Sequence, residues 1–129
     1  MNEILTQEKS IYLQISEMIE NDILRDILLE EEKVPSTNEL ARQYAINPAT
    51  AAKGINILVD TGILYKKRGI GMFVEKGAKE KIRSRRKEEF SKVFVKRFLE
   101  EAKSLSITKE EIITMIDKEY SKRELTETE

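Results

Sequence analysis

The sequence predicts a mainly α-helical chain carrying one small β-hairpin, and three observations support this. Apolar residues recur at spacings of three and four over residues 11–27 and again over residues 90–120, the period of helices with one buried face. Between these stretches, Ser36-x-x-Glu39 and Asn47-Pro48 mark two helix starts close together. Then Lys67-Arg68-Gly69-Ile70-Gly71, a turn-forming run with a basic flank, separates two short β-prone segments.

Residues 1–9 are polar and read as flexible. From Ser10, the residues Ile11, Ile15, Met18, Ile19, Ile23 and Ile27 trace one stripe, opposed by Glu17, Glu20 and Asp22. This predicts a core helix ending between Asp26 and Leu28, with Leu29 to Val34 as a connector. Pro35 stops the chain, and Ser36 with Glu39 forms a capping box in which hydroxyl and carboxylate each satisfy a backbone donor. A short helix over Thr37–Tyr44 follows, with Leu40 and Ala41 turned inward. Asn47 is a good N-cap, and Pro48 suits the first helical position because it has no donor to leave unpaired. The next helix is predicted over Pro48–Asp60, burying Ala51, Ile55, Leu58 and Val59, although Gly54 inside it costs about 1 kcal/mol relative to alanine. Two helices joined by three residues, with small Ala45 and Ala51 at the crossing, are the mark of a helix-turn-helix. Thr61-Gly62 ends the second helix, and strands over 63–66 and 72–74 enclose the glycine-containing turn as a wing. The predicted unit is a winged helix-turn-helix domain over residues 10–76.

After Gly77 the composition changes. Lys79 to Lys87 holds six basic residues and one acidic one, and reads as a solvated helix face or linker in preference to a phosphate-binding run. Phe90, Val93, Phe94, Arg97, Phe98, Glu101, Ala102 and Leu105 continue as a stripe on a helix of about 25 residues, ~38 Å long. Ser106-Ile107 interrupts it. Thr108 with Glu111 is a second capping box, opening a helix through about Lys122 with Ile112, Ile113, Ile116 and Tyr120 on one face. Arg123 to Glu129 reads as a frayed polar tail. Residues 78–122 therefore form a two-helix appendage with little to bury against except the preceding domain or a second copy of itself. The second copy is the better reading. It makes Phe90, Val93, Phe94, Phe98, Ala102, Leu105, Ile112, Ile113 and Ile116 the expected dimerisation residues.

The net charge of −1 hides a polarised distribution. Residues 1–35 carry three basic and nine acidic side chains, whereas residues 36–76 carry six basic and three acidic ones. A polyanion partner responds to the field at the contacting surface, so the overall balance does not exclude one. The chain has no cysteine and no histidine, which removes thiolate metal sites, the commonest metal ligand and the usual general base. No nucleophile–base pair or metal-ligand spacing is visible, and Gly69-x-Gly71 lacks the third glycine of a nucleotide fingerprint. A non-enzyme without metal or cofactor is expected, cytoplasmic because no membrane span or signal pattern is present.

In a helix-turn-helix the first turn of the second helix meets base edges in the major groove. Here that turn contains Asn47, Pro48, Ala49 and Thr50, with Lys53 one turn on. Asn47 and Thr50 offer hydrogen bonds, Ala49 fits a thymine methyl, and Lys53 reaches a phosphate or a guanine. Ser36, Thr37 and Asn38 at the preceding helix start are placed for backbone contact. Lys66, Lys67 and Arg68, with Gly69 and Gly71, are placed for the minor groove. Each has a plainer explanation: Asn47 as a cap, Thr50 as a helix-face residue, the basic tip as a solvated hairpin. Their order and spacing as a set favour a reader of double-stranded operator DNA. The alternative is a winged helix that has lost DNA binding and serves as a protein-interaction module.

Pro35-Ser36-x-x-Glu39-Leu40-Ala41, Ile46-Asn47-Pro48-x-Thr50 and Gly62-Ile63-Leu64-Tyr65-x-x-Arg68-Gly69-x-Gly71-x-Phe73-Val74 together resemble the winged helix-turn-helix of GntR-family bacterial transcription regulators. Ile11-Tyr12-x-Gln14-Ile15 also resembles the family's first helix. The short C-terminal part and Asn47-Pro48-x-Thr50 are most similar to the YtrA subfamily. That resemblance implies two C-terminal dimerisation helices, a repressor acting as a homodimer on an inverted repeat, and association with transporter operons. It names no small-molecule effector. The chain departs from the family at Asn38, where arginine is frequent, at Ile70, where a basic residue is common, at Met72, where threonine is common, and in the glycine-free loop Leu29 to Lys33.

Overall fold

Ile15, Ile19 and Ile23 line the inner face of α1 (Ile11–Leu24) and are almost wholly inaccessible to solvent. In this computed structural model, which describes Leu5 and residues 9–128, they meet Leu40 and Ala41 of α2 (Thr37–Tyr44) and Ala51, Ile55 and Leu58 of α3 (Pro48–Asp60). Ile63, just before β1, closes the core with Leu64 of β1 (Leu64–Lys67), Val74 of β2 (Gly71–Val74), and Ala78 and Ile82 of α4 (Ala78–Glu89). Full burial of each large aliphatic side chain contributes about 1.5–3 kcal/mol. The expectation for residues 1–9 falls mostly outside the described residues; Leu5, within them, packs against this core.

The ends of α2 and α3 lie where capping chemistry predicts them. α1 stops earlier than expected. Asp26 takes a left-handed conformation (φ 60°), and the Ile27 and Leu28 N–H groups both donate to the Asp22 carbonyl (2.8 and 3.1 Å). The chain is thereby turned away, and Ile27, expected on the buried stripe, is exposed. The same closure ends α2 at Ala45 (φ 51°), where Ile46 N–H donates to Ala41 O, and α3 at Gly62 (φ 76°), where Ile63 N–H donates to Leu58 O.

β1 and β2 are antiparallel, in register from Leu64↔Val74 to Lys67↔Gly71; β1 is shifted by one residue from the expected strand, and β2 begins one residue earlier than expected. The connector before α2 also runs beside β2. Glu31 N–H donates to Val74 O (2.8 Å), Val74 N–H to Glu32 O (3.0 Å) and Val34 N–H to Met72 O (2.9 Å), with a bridge between Lys33 and Phe73. The wing therefore has backbone partners on both sides of β2.

The chain forms two compact units that divide between Arg86 and Lys87. The basic run, expected as a solvated helix face or linker, is largely exposed, but part of it is engaged in ion pairs. Arg85 donates to both oxygens of buried Glu20 (2.8 and 2.6 Å), and Arg86 donates to Glu20 (3.1 Å) and to Asn21 (2.7 Å). Lys79 pairs with Asp26 (2.9 Å) and Arg83 with Glu80 (3.0 Å). The contacts to Glu20 and Asn21 clamp α4 to α1, and Lys79 ties it to the turn after α1.

In the second unit, a π-helical segment (Phe90–Val95) leads into α5 (Lys96–Ser104), where one uninterrupted α-helix was expected; nothing in the local sequence accounts for it. α5 closes with Ser106 left-handed (φ 56°) and Ile107 N–H on Ala102 O (2.9 Å). The Thr108–Glu111 capping box is formed in both directions and opens α6 (Lys109–Thr128). α6 runs through most of the stretch expected to fray. That stretch contains no glycine or proline, and Arg123 donates to Glu119 one turn back (3.2 Å).

Gly54 is the residue that lets α1 and α3 cross. A Cβ there would lie 2.7 Å from Tyr12 O and 3.0 Å from Ile15 Cβ, and Ser16 Oγ donates to the Gly54 carbonyl at 2.6 Å. Gly54→Ala gains about 1 kcal/mol of helix propensity but overpacks a backbone contact, so a net loss of about 1–3 kcal/mol is expected by urea denaturation. A variant as stable as the parent would show that the crossing opens without cost.

Candidate nucleic-acid interface

The first turn of α3 is built by its cap. Asn47 Oδ1 accepts the Ala49 N–H at 2.8 Å, which uses the acceptor and leaves the side-chain NH2 as a donor. Asn47, Pro48 and Ala49 are exposed and Thr50 is half-buried. Lys53 is exposed, but its Nζ lies 4.0 Å from the centre of the Tyr12 ring on α1, a cation–π contact that holds the side chain in place. At the start of α2, Ser36 Oγ accepts the Glu39 N–H (3.1 Å), and Glu39 accepts the Ser36 N–H (3.2 Å). Hydrogen bonds from the Ser36 backbone and hydroxyl, with help from Lys33 and Arg42, hold the Glu39 carboxyl below its ordinary range. Asn38 beside them is exposed and Thr37 half-buried.

The wing separates its cations. Lys67 folds back, with Nζ 4.4 Å from the Phe73 ring centre and 6.0 Å from that of Tyr65, and these two rings stack at 6.0 Å. Lys66 and Arg68 are exposed, with no hydrogen-bond or ion-pair partner among the described residues. Gly69 (φ 78°) has open space around it, whereas a Cβ on Gly71 (φ 144°) would meet Lys33 Cε at 2.8 Å. Ile70 between them is 60% exposed. The structure thus adds Tyr12 and Lys33 to the surroundings of the expected residues. Tyr12 stands in the motif that resembles the family's first helix, but nothing local places it beside Lys53; Lys33 lies in an acidic loop and carries no sequence signal.

In the second unit, Phe90, Val93, Phe94, Phe98, Leu105, Ile113 and Ile116 are exposed, whereas Ala102 and Ile112 are buried within the chain itself. The Phe90 and Phe94 rings lie 6.0 Å apart. Among the described residues no acidic cluster could hold a metal ion, and no helix is long and apolar enough to cross a membrane.

A short helix, a three-residue turn, a second helix with an open N-terminal turn and a basic hairpin define a winged helix-turn-helix, the architecture of a DNA-binding transcriptional regulator. Residues 11–74 match the family described as bacterial regulatory proteins, gntR family. The chain is 32% identical over 113 residues to the uncharacterised HTH-type transcriptional regulator YhcF of Bacillus subtilis, covering 88% of this chain and 92% of that one. It is similar to the crystal structure of a putative GntR-family transcriptional regulator from Bacteroides thetaiotaomicron, with 39% identity, a TM-score of 0.73 and coverage of 88% of this chain and 98% of that one. It is also similar, at 36% identity and a TM-score of 0.51, to the DNA-binding domain of AraR in complex with operator ORX1, over 56% of this chain and 94% of that one. The chain belongs to the GntR family.

Beside the wing, Tyr65 donates a short hydrogen bond to Glu31, and this bond pushes its phenol up to about 12, assisted by desolvation and by the charges of Glu31 and Glu75. A phenol that ionises at 10.0 when unfolded and near 12 when folded stabilises the fold fully below pH 10. That contribution is lost as pH rises through 12. Absorbance titration should show one phenol ionising near 12 that Tyr65→Phe removes, and the fall in stability from pH 10 to 12 should be shallower in the variant. Identical alkaline profiles for the two proteins would dissociate Tyr65 from Glu31.

Proposed function

We propose that this chain is a repressor of the YtrA type that binds an inverted-repeat operator as a homodimer, one α3 per half-site, and controls a nearby operon of the transporter class. The observation that carries the proposal is the exposed first turn of α3, accompanied by unpartnered Lys66 and Arg68 on the wing. In the proposed complex, the Asn47 amide, Thr50 and Ala49 face base edges, while Ser36, Thr37 and Asn38 lie along the backbone. Lys53 and the wing residues Lys66, Lys67, Arg68, Gly69 and Gly71 approach phosphates and the minor groove. The operator complex of the related AraR domain supports this use of the fold. The domain assignment is residues 10–76 for reading DNA and 78–122 for pairing copies.

Pairing through the second unit is supported by its exposed apolar side chains, above all Phe90, Phe94 and Phe98. Ala102 and Ile112 are buried in the single chain and so are not offered to a second copy. Occupied half-sites reinforce each other through the dimer, so the operator affinity exceeds that of one reader by mass action within the complex. An effector, if one acts, is not indicated by any residue described above.

The first test is a mobility shift on the intergenic DNA upstream of the protein's own gene, at low and physiological salt, with unrelated DNA as competitor. A discrete complex that survives competitor is expected. A complex abolished by competitor at every salt concentration would favour the protein-interaction module. Lys53→Ala with Arg68→Ala should weaken specific binding by tenfold or more, and flatten the log–log salt dependence by about 0.9 per lost phosphate contact, while leaving the dimer intact. Phe94→Asp should yield monomers by light scattering and lose bivalent operator binding; a dimeric Phe94→Asp protein would move the interface elsewhere.

A further inference from the structure

The Ile70 side chain takes no part in packing the core. It occupies the wing tip at 60% exposure and lies outside the core. Its N–H donates to Lys67 O (3.0 Å), which fixes the turn, and it is flanked by Gly69 and Gly71, so no neighbouring side chain shields it. Lys67 is folded back onto Phe73, leaving Lys66 and Arg68 as the wing's free cations beside this isolated apolar group.

Resting on the reading of the chain as an operator binder, we infer that Ile70 is a specificity-determining residue: it enters the minor groove and makes the wing selective for A·T pairs. The minor-groove edge of an A·T pair presents only the adenine N3 and thymine O2 acceptors, whereas a G·C pair adds the guanine N2 amino group. An isoleucine has no acceptor for that amino group and desolvates it without compensation. Its branched side chain meets the sugar walls closely where the groove is narrow. A narrow A·T groove also carries enhanced negative potential, which draws in Lys66 and Arg68. Isoleucine and cations therefore select the same sequence, the first by shape and the second by field. Apolar side chains, isoleucine among them, enter the minor groove in other DNA-binding proteins.

The test is an anisotropy titration on the footprinted operator, with each A·T pair replaced in turn by G·C and then by inosine·cytosine. Inosine keeps the major-groove edge of guanine and lacks the N2 amino group. At one or two positions per half-site, wild type should lose about five- to tenfold on G·C and recover to within about twofold on inosine·cytosine. Ile70→Ala, on an exposed tip, should bind the A·T operator several-fold more weakly, with the G·C penalty reduced below about twofold at those positions. A G·C penalty that inosine does not relieve, or one unchanged in Ile70→Ala, overturns the inference while leaving operator binding intact. A wild-type protein that forms no specific complex on any fragment overturns both readings.

Discussion

The crossing of α1 and α3 governs the rest of the reading domain. The helices approach closely enough for Ser16 to donate to the Gly54 carbonyl, and for any side chain at position 54 to collide with the Tyr12 backbone. That closeness brings the Tyr12 ring under Lys53, fixing the charge one turn beyond the exposed cap of α3. Ile15, Ile19, Ile55 and Leu58 become inaccessible as a consequence, and α2 and the hairpin pack on the scaffold they form. A glycine that costs helix propensity is retained because the contact it permits involves backbone, which cannot move aside as a side chain can.

The second constraint is electrostatic. Glu20 is nearly inaccessible, and a carboxylate removed from water requires charged or hydrogen-bonding partners. Arg85 and Arg86 supply them from α4, and Asp26 with Lys79 and Glu30 with the Gly77 N–H (2.8 Å) tie the preceding turn of chain. α4 is thus held to the domain by burial of Ala78 and Ile82 and by the ion pairs of Arg85 and Arg86 with Glu20.

Capping boxes at Ser36 and Thr108, the Asn47-Pro48 start and the Gly62 stop were legible in the sequence, because each is completed by residues within a few positions. Helix ends closed by Asp26, Ala45 and Ser106 are harder to read. Any of these can adopt the left-handed conformation at a cost of order 1 kcal/mol, but none announces it as glycine does. The backbone ladder of Glu31 to Val34 on β2 was hidden by an acidic composition with little strand propensity. The partners of Arg85 and Arg86 lie 65 positions earlier in the chain, beyond any local pattern. At the candidate interface, which residues are exposed followed from the fold class. That Lys53 rests on the Tyr12 ring and Lys67 on the Phe73 ring was not legible locally, since each of these partners sits on a different element.

These pairings also resolve an apparent contradiction in the charge distribution. The N-terminal third is strongly acidic and directly precedes the candidate reading helices, which would oppose an approach to DNA. Yet Glu20 and Asp26 are neutralised from α4, Glu30 and Glu32 accept from the backbone N–H groups of Gly77 and Leu29, and Glu31 accepts from Tyr65. Within residues 79–87, Lys79, Arg83, Arg85 and Arg86 are engaged by acidic side chains. Lys66 and Arg68 remain without ion-pair partners among the described residues, at the wing tip. A chain with net charge −1 can therefore carry unpaired cations on its wing, and the field felt by a nearby polyanion depends on that local balance rather than on the total.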